Sequence, residues 1–167
     1  RPNLEYIEGL FEDFRKNQYG DVALRGDIEA EAAILNILRE SRLRIKVVSE
    51  EHGITVIGDN PLYLGILDGV DGSGVYKRER TIGRYGTMFA VYKGTDPRYD
   101  DYLYGGIMEH VSGKLYFASK GGGSWVIENG VQKRIHCSGS VKLDDKSRLY
   151  ADTNFDEVFK THIVSTF

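Results

Sequence analysis

The sequence predicts an α+β domain in which two N-terminal helices pack on a large, mainly antiparallel sheet. Three features of the chain support this prediction. Before residue 41, apolar residues recur every three or four positions, which is the spacing of amphipathic helices. From about residue 44 the pattern changes to the short runs that are typical of strands. Turn signals such as Asn129-Gly130 then join consecutive strands closely, as antiparallel hairpins require.

The helical part contains two segments joined by a connector with two glycines. We predict the first helix over 3–17 and the second from Asp27 to near Ser41. In the second helix, five apolar residues share one face, which we expect to be buried: Ala30, Ala33, Ile34, Ile37 and Leu38. Two helices joined in this way must cover their apolar stripes, and the β-rich remainder offers the surface.

The remainder of the chain predicts a succession of short strands. The expected ranges are 45–49, 54–57, 62–67, 85–93, 102–111, 113–119, 125–127, 131–137 and 148–152. Because most of these segments follow one another through short turns, we expect them to form an antiparallel meander.

Composition and charge exclude several classes of partner. The 167 residues carry a formal net charge of −3, and no basic stripe dominates, which argues against nucleic acid or an anionic membrane surface. No apolar run approaches the roughly 20 residues that a membrane-spanning helix needs. A single cysteine cannot form an internal disulfide, so we expect a reduced, cytoplasmic setting.

The most informative stretch is the end of one predicted strand, Leu64–Ser73. An apolar run there ends in Asp68 and Asp71, and Glu50 follows the preceding strand. In a tight turn, the two carboxylates and the Val70 carbonyl can point to one centre, and an all-oxygen donor set suits Mg²⁺ better than Zn²⁺. The alternative is that Asp-Gly pairs simply end the strand, because they are common in turns.

The same residues resemble a known signature. The run Asp68-Gly69-Val70-Asp71-Gly72-Ser73 is similar to the Asp-Pro-Ile/Val-Asp-Gly-Thr/Ser motif of the inositol monophosphatase family, within the superfamily that includes fructose-1,6-bisphosphatase. Further segments agree in order: 26–31, 49–53, 85–91, 105–108, 113–118, 121–123 and 129–130. This resemblance implies the first lobe of a sugar phosphatase fold and a Mg²⁺-dependent, lithium-sensitive phosphatase that forms a homodimer.

The resemblance also implies a role for each residue. Glu50, Asp68, the Val70 carbonyl and Asp71 would hold two or three Mg²⁺ ions that activate water. Ser73, together with Glu50 or Asp27, would accept and relay the proton of that water. The amides of Gly72 and Ser73 would bind the substrate phosphate. Asp27 can also cap the second helix, and the two roles are compatible.

The expected substrate is a small phosphorylated metabolite, either an inositol monophosphate or a sugar phosphate such as fructose 1,6-bisphosphate. A nucleotide such as 3′-phosphoadenosine 5′-phosphate is the enzymatic alternative. A non-catalytic relative that acts as a binding or regulatory module is the alternative from another class.

Two departures from the family pattern lead to further expectations. Gly69 stands where the family has proline, so we expect a freer turn and a looser metal site. The match runs from about residue 3 to about residue 153. Residues 1–153 would form the N-terminal lobe, and residues 154–167 would begin the connection to a second α/β lobe. Because no match to that lobe follows, we expect a truncated chain; a natural half-domain and an inactive relative are the other cases. We also expect Glu31 to be a surface or first-turn charge and not a metal ligand, Glu51 to be structural and not metal-binding, and His52 to be a strand-exit residue.

Overall fold

The computed structural model describes residues 13–16, 22–79, 81–137, 139 and 142. Within these residues the secondary structure is organised as a small hairpin, a long helix and a succession of strands interrupted by a short helix. The elements are β1 (Asp13–Lys16), β2 (Val22–Leu24), α1 (Arg25–Glu40), β3 (Ile45–Ser49), β4 (Gly53–Ile57), β5 (Tyr63–Asp71), α2 (Ser73–Glu79), β6 (Gly86–Lys93), β7 (Tyr102–Glu109), β8 (Lys114–Ser119), β9 (Gly123–Glu128) and β10 (Val131–Ile135).

Strands β3 to β10 form one large sheet. Its strand order is β10-β9-β8-β7-β6-β5-β3-β4. Strands β3 and β5 pair in parallel, whereas each other neighbouring pair in this sheet is antiparallel. The predicted α+β class with a mainly antiparallel sheet is therefore confirmed, and the expected strands between residues 45 and 137 correspond to β3–β10.

The Asn-Gly hairpin signal is confirmed by the geometry of the turn between β9 and β10. Asn129 and Gly130 have φ angles of 50° and 75°, and Glu128 pairs with Val131 across them. Two successive residues with positive φ match a type I′ turn, whose twist suits a two-residue hairpin.

Helix α1 packs on β5 and closes the apolar core. The buried cluster consists of Leu35, Leu38, Ile45, Val47, Ile57 and Leu67. The expected buried face of this helix is confirmed in part, because Leu38 is buried and Ile34 packs against the cluster. Ala30 is half-buried, whereas Ala33 is exposed and Ile37 is 63% exposed. The buried row contains Asp27 and Glu31, and a search for apolar residues alone could not include them.

The first predicted helix lies mostly outside the described residues. Its described part, Asp13–Lys16, is a strand that pairs in antiparallel fashion with Val22–Leu24, so the helix prediction is wrong there. Pairing with β2 supplies backbone hydrogen bonds that a pattern of apolar spacing does not take into account. Helix α1 then begins at Arg25, immediately after β2 and two residues earlier than expected.

The chain divides into two compact units, Arg1–His136 and Cys137–Phe167. All the elements named above belong to the first unit. The predicted strand at 148–152 and the predicted lobe boundary at residue 153 lie outside the described residues. In the part of the chain that the structure describes, no helix combines the length and the apolar character needed to cross a membrane.

Candidate functional site

The candidate site lies at the C-terminal ends of β3 and β5, which are neighbouring parallel strands in the interior of the sheet. Ser49, the last residue of β3, is in register with Leu67 of β5. Continuing this register by one residue brings Glu50 next to Asp68. Parallel pairing thus places together two carboxylates that are 18 positions apart in the sequence.

A β-bulge in β5 places the two aspartates of the motif on one face of the sheet. Asp68 pairs with Met88 and Asp71 pairs with Gly86, so Gly69 and Val70 together oppose the single residue Thr87. In a regular strand, residues at i and i+3 point to opposite faces. The extra residue removes this difference, and Asp68 and Asp71 therefore share a face.

Gly69 packs closely against α1, and the freer turn and looser metal site expected at this position stay predictions. A Cβ atom added at Gly69 would lie 2.5 Å from the Asp27 carbonyl oxygen and 2.9 Å from Cγ of Glu31. The backbone of Gly69 avoids the left-handed region, so its conformation does not demand glycine. Its carbonyl also accepts a hydrogen bond of 2.6 Å from the Thr87 hydroxyl. The residue is held from both sides because α1 sits directly on β5.

Asp27 is the third residue of α1 and is only 6% exposed. Its Oδ2 atom accepts a hydrogen bond of 3.2 Å from the Leu24 N–H, so it does cap the helix, from the N3 position. Its buried Oδ1 atom has no hydrogen-bond partner among the described residues. Burial raises the pKa of Asp27 to about 7, and the nearby charges of Glu51, Asp68 and Glu50 add to the effect. Such a carboxylate can hold or release a proton near neutral pH.

Asp68 is also perturbed by its surroundings. Burial, together with the charges of Glu50, Asp71 and Glu31, raises the pKa of Asp68 to about 6, while the N–H of Val70 acts in the opposite direction. The structure therefore brings Asp27, Glu50, Asp68 and Asp71 into one electrostatically coupled group.

Glu31 is the main residue that the sequence analysis placed wrongly. It was expected on the surface, yet its side chain is fully buried. Its carboxylate accepts hydrogen bonds from the Glu51 and His52 N–H groups at 3.0 to 3.2 Å and lies 2.8 Å from Nδ1 of His52. These contacts fix the backbone directly after Glu50. The signal that was available is the four-residue spacing of Asp27 and Glu31, which places both on one row of the helix.

The turn after β5 leads into α2. Gly72 has a φ of 85°, and its carbonyl accepts hydrogen bonds of 2.8 and 2.9 Å from the N–H groups of Val75 and Tyr76. Ser73 is half-buried and begins α2, while Asp71 before it is exposed and Val70 is half-buried. Gly72 and Ser73 thus adjoin the acidic group, and their roles toward phosphate remain predictions.

The residues fit a hard cation by donor type, although they do not form a finished coordination set. Among the described residues, no three His, Cys, Asp or Glu side chains are arranged so as to hold a metal ion. After the larger effect of burial, the charges of neighbouring carboxylates contribute to the raised pKa of Asp27 and of Asp68. Carboxylate and carbonyl oxygens are the donors that Mg²⁺ uses, and the unpartnered Oδ1 of Asp27 adds a buried oxygen with lone pairs to spare.

Two curated archaeal proteins are similar to this chain. A bifunctional NADP phosphatase/NAD kinase from Methanocaldococcus jannaschii is 32% identical over 151 residues, covering 77% of this chain and 26% of that protein. A fructose-1,6-bisphosphatase/inositol-1-monophosphatase from Methanothermobacter thermautotrophicus is 30% identical over 128 residues, covering 72% of this chain and 44% of that protein. The chain therefore spans less than half the length of these relatives.

Solved structures agree on the fold. An IMPase/NADP phosphatase complexed with NADP and Ca²⁺ matches with a TM-score of 0.60 at 18% identity, covering 84% of this chain and 50% of that one. A comparison with protein-family models gives no match. The architecture is that of the first lobe of the sugar phosphatase fold. The chain belongs to the inositol monophosphatase and fructose-1,6-bisphosphatase family, as its motifs predicted, and it spans part of the length of its relatives.

Proposed function

We propose that this chain is the metal-binding part of a Mg²⁺-dependent phosphomonoesterase that hydrolyses a small polyol or sugar phosphate. The observation that carries the proposal is the bulge in β5, which aligns Asp68 and Asp71 beside Glu50 where the parallel strands β3 and β5 end. The similarity to phosphatases supports the same class of reaction.

Different residues of the chain would bind the metal ions and orient the substrate phosphate. Glu50, Asp68, Asp71 and the Val70 carbonyl would hold two or three Mg²⁺ ions. When bound, these ions would neutralise phosphate charge and lower the pKa of a water molecule. The amides of Gly72 and Ser73 would orient the phosphate oxygens of the substrate.

Proton transfer would fall to Asp27 and Ser73. The pKa of Asp27, near 7, gives a carboxylate that is partly deprotonated at neutral pH, as a general base requires. Ser73, with Asp27 or Glu50, would pass on the proton of the attacking water. The attacking oxygen would form a bond to phosphorus while the bond between phosphorus and the alcohol oxygen breaks, and the released alkoxide would take up a proton.

The substrate is proposed from the chemistry of the relatives. An inositol monophosphate or fructose 1,6-bisphosphate agrees with the Methanothermobacter relative. A nucleotide phosphate is the second candidate, because the Methanocaldococcus relative is named as an NADP phosphatase. 3′-Phosphoadenosine 5′-phosphate belongs to the same class of substrate. We further propose that the protein is a homodimer, that Li⁺ inhibits it and that it is cytoplasmic.

Phosphate release by the full-length protein tests this proposal. We expect release from at least one of inositol 1-phosphate, fructose 1,6-bisphosphate, NADP and 3′-phosphoadenosine 5′-phosphate, and only with Mg²⁺ present. Asp68→Asn removes one charged ligand and should lower kcat by about 100-fold or more, a loss of roughly 3 kcal/mol of transition-state stabilisation.

Asp59→Asn is the matched control, because Asp59 is exposed on a loop. It should leave kcat unchanged. Full activity in the Asp68→Asn variant would contradict the metal assignment. A correctly folded protein that releases phosphate from none of the four compounds would favour the non-catalytic binding module.

A further inference from the structure

We propose that Thr87 and His110 are positioning residues that hold the bulge between Asp68 and Asp71 in the shape required for cation binding. The inference rests on the proposed metal site and deepens it. It concerns Thr87 on β6 and His110 directly after the end of β7, neither of which belongs to the acidic motif itself.

The bulge in β5 disturbs the hydrogen-bond ladder between β5 and β6. Gly69 and Val70 both oppose Thr87, so regular backbone pairing is interrupted at that point. The hydroxyl of Thr87 reaches across and donates to the Gly69 carbonyl at 2.6 Å. A side chain on β6 thus supplies a hydrogen bond at the place where the ladder is broken, and it fixes the peptide that lies between the two aspartates.

The hydroxyl of Thr87 has two neighbours but can donate a hydrogen bond to only one of them. A threonine hydroxyl has one hydrogen, and the Gly69 carbonyl can only accept, so the hydroxyl donates to Gly69. Thr87 Oγ1 also lies 2.9 Å from Nε2 of His110. Nε2 must therefore carry the proton and donate to the hydroxyl oxygen. Burial lowers the pKa of His110, while the charge of Glu109 acts in the opposite direction, and the net effect favours a neutral ring.

His110 is itself held in place by two contacts with Tyr85. Its backbone N–H donates to the Tyr85 carbonyl at 3.1 Å, and its ring centroid lies 5.7 Å from that of Tyr85. A chain of contacts therefore runs from Tyr85 through His110 and Thr87 to the Gly69 carbonyl. Such chains hold metal-binding groups in position from behind.

The arrangement also replaces a constraint that this chain lacks. Proline at the position of Gly69, as in the family signature, would fix φ through its ring. Here the backbone of α1 comes too close for a Cβ atom, so the position must be glycine. Hydrogen bonding from Thr87 restores the rigidity that glycine gives up.

The test compares Mg²⁺ binding in variants of the full-length protein, measured by titration calorimetry without substrate. Thr87→Val keeps the shape of the side chain and removes the hydroxyl, and it should weaken Mg²⁺ binding by about 10-fold. Thr87→Ser keeps the hydroxyl and should bind within about 2-fold of wild type. Thr55→Val, in β4, removes a hydroxyl elsewhere in the sheet and should change nothing.

A second variant and a spectroscopic measurement do not depend on Thr87→Val folding well. His110→Phe keeps a ring against Tyr85 and removes the donor, so it should also weaken Mg²⁺ binding. Side-chain ¹⁵N NMR of His110 in the wild-type protein should show a proton on Nε2. A merely structural role for Thr87 would lower the midpoint of urea unfolding without metal and leave the Mg²⁺ affinity intact.

The outcomes separate this inference from the proposed function. Unchanged Mg²⁺ affinity in both Thr87→Val and His110→Phe, or a neutral ring protonated on Nδ1, would overturn the positioning role and leave the phosphatase proposal standing. Weakened binding in both variants of a protein that hydrolyses no phosphomonoester would support the positioning role and reject the proposed function. A wild-type protein that does not bind millimolar Mg²⁺ would reject both.

Discussion

Asp27 is a buried residue whose carboxylate costs stability when it is charged. Its pKa is raised from an ordinary value of 3.8 to about 7, first by burial and then by neighbouring carboxylates. Between these two values the native state holds a proton that the unfolded state has released. The free energy of unfolding therefore falls as the pH rises from about 4 to about 7.

Asp27→Asn should consequently stabilise the metal-free protein at pH 8, by on the order of 2 kcal/mol. The asparagine oxygen can still accept the Leu24 N–H, and no charge remains to be buried. Urea unfolding in the presence of a chelator measures the effect, which should shrink as the pH falls toward 4. The same variant should lose most of its phosphatase activity. A less stable variant at pH 8 would show that the Asp27 charge is not a burden.

At this scale, local spacing in the sequence was enough to predict which carboxylates the structure brings together, and their roles toward a metal stay predictions. Asp68 and Asp71 could be recognised because they lie three residues apart after an apolar run, and Glu50 because it ends a similar run. Thr87 and His110 could not be recognised, since Thr87 contacts Gly69 on another strand, His110 contacts Thr87, and no local pattern marks either contact. Glu31 was missed because a charged residue is usually exposed, and its burial depends on the N–H groups of a distant turn.

At the scale of elements, the packing of α1 on β5 depends on one missing side chain. Gly69→Ala would place a Cβ atom 2.5 Å from a backbone oxygen of α1, and backbone cannot yield as a flexible side chain can. We expect a loss of about 1–3 kcal/mol in the free energy of unfolding, measured by urea denaturation.

Gly105→Ala in β7 is the matched control for this substitution. An added Cβ atom there would meet nothing closer than Tyr102 at 3.4 Å, which is an ordinary contact. Its effect should stay within about 0.5 kcal/mol. Equal losses in the two variants would indicate that glycine is needed for general strand geometry and not for the approach of α1.

The order of the elements was largely predictable, and the orientation of α1 was not. Strands with clear turns, such as the hairpin at Asn129-Gly130, were found because the turn chemistry is local. The buried row of α1 was misjudged in part because Asp27 and Glu31 take positions that an apolar pattern assigns to leucine or alanine. The parallel pairing of β3 with β5, which creates the site, leaves no mark in either strand alone.

At the scale of the whole molecule, a cation should relieve the repulsion among the carboxylates. Mg²⁺ that binds only the native state adds about 2.7 kcal/mol to the free energy of unfolding at 100 times its dissociation constant. Because protons compete for Asp68, with a pKa of about 6, and for Asp27, with a pKa of about 7, binding should strengthen as the pH rises from 5.5 to 8.

Thermal unfolding with and without Mg²⁺ across this pH range measures the effect. The increase in melting temperature should be larger at pH 8 than at pH 5.5 and should be reduced in Asp68→Asn. Ca²⁺ provides a second oxygen-preferring cation for comparison. An increase that does not depend on pH would indicate that Mg²⁺ binds elsewhere on the protein.

The doubled residue opposite Thr87 also changes how related chains should be compared. A residue gained beside Thr87 in β6 would pair Gly69 and Val70 one to one, return β5 to plain alternation and turn the second aspartate toward the opposite side of the sheet. A lineage could lose cation binding in this way while every acidic residue of the motif survived. The number of residues that lie opposite the motif in β6 is therefore a better guide to cation binding in related chains than the presence of the aspartates alone.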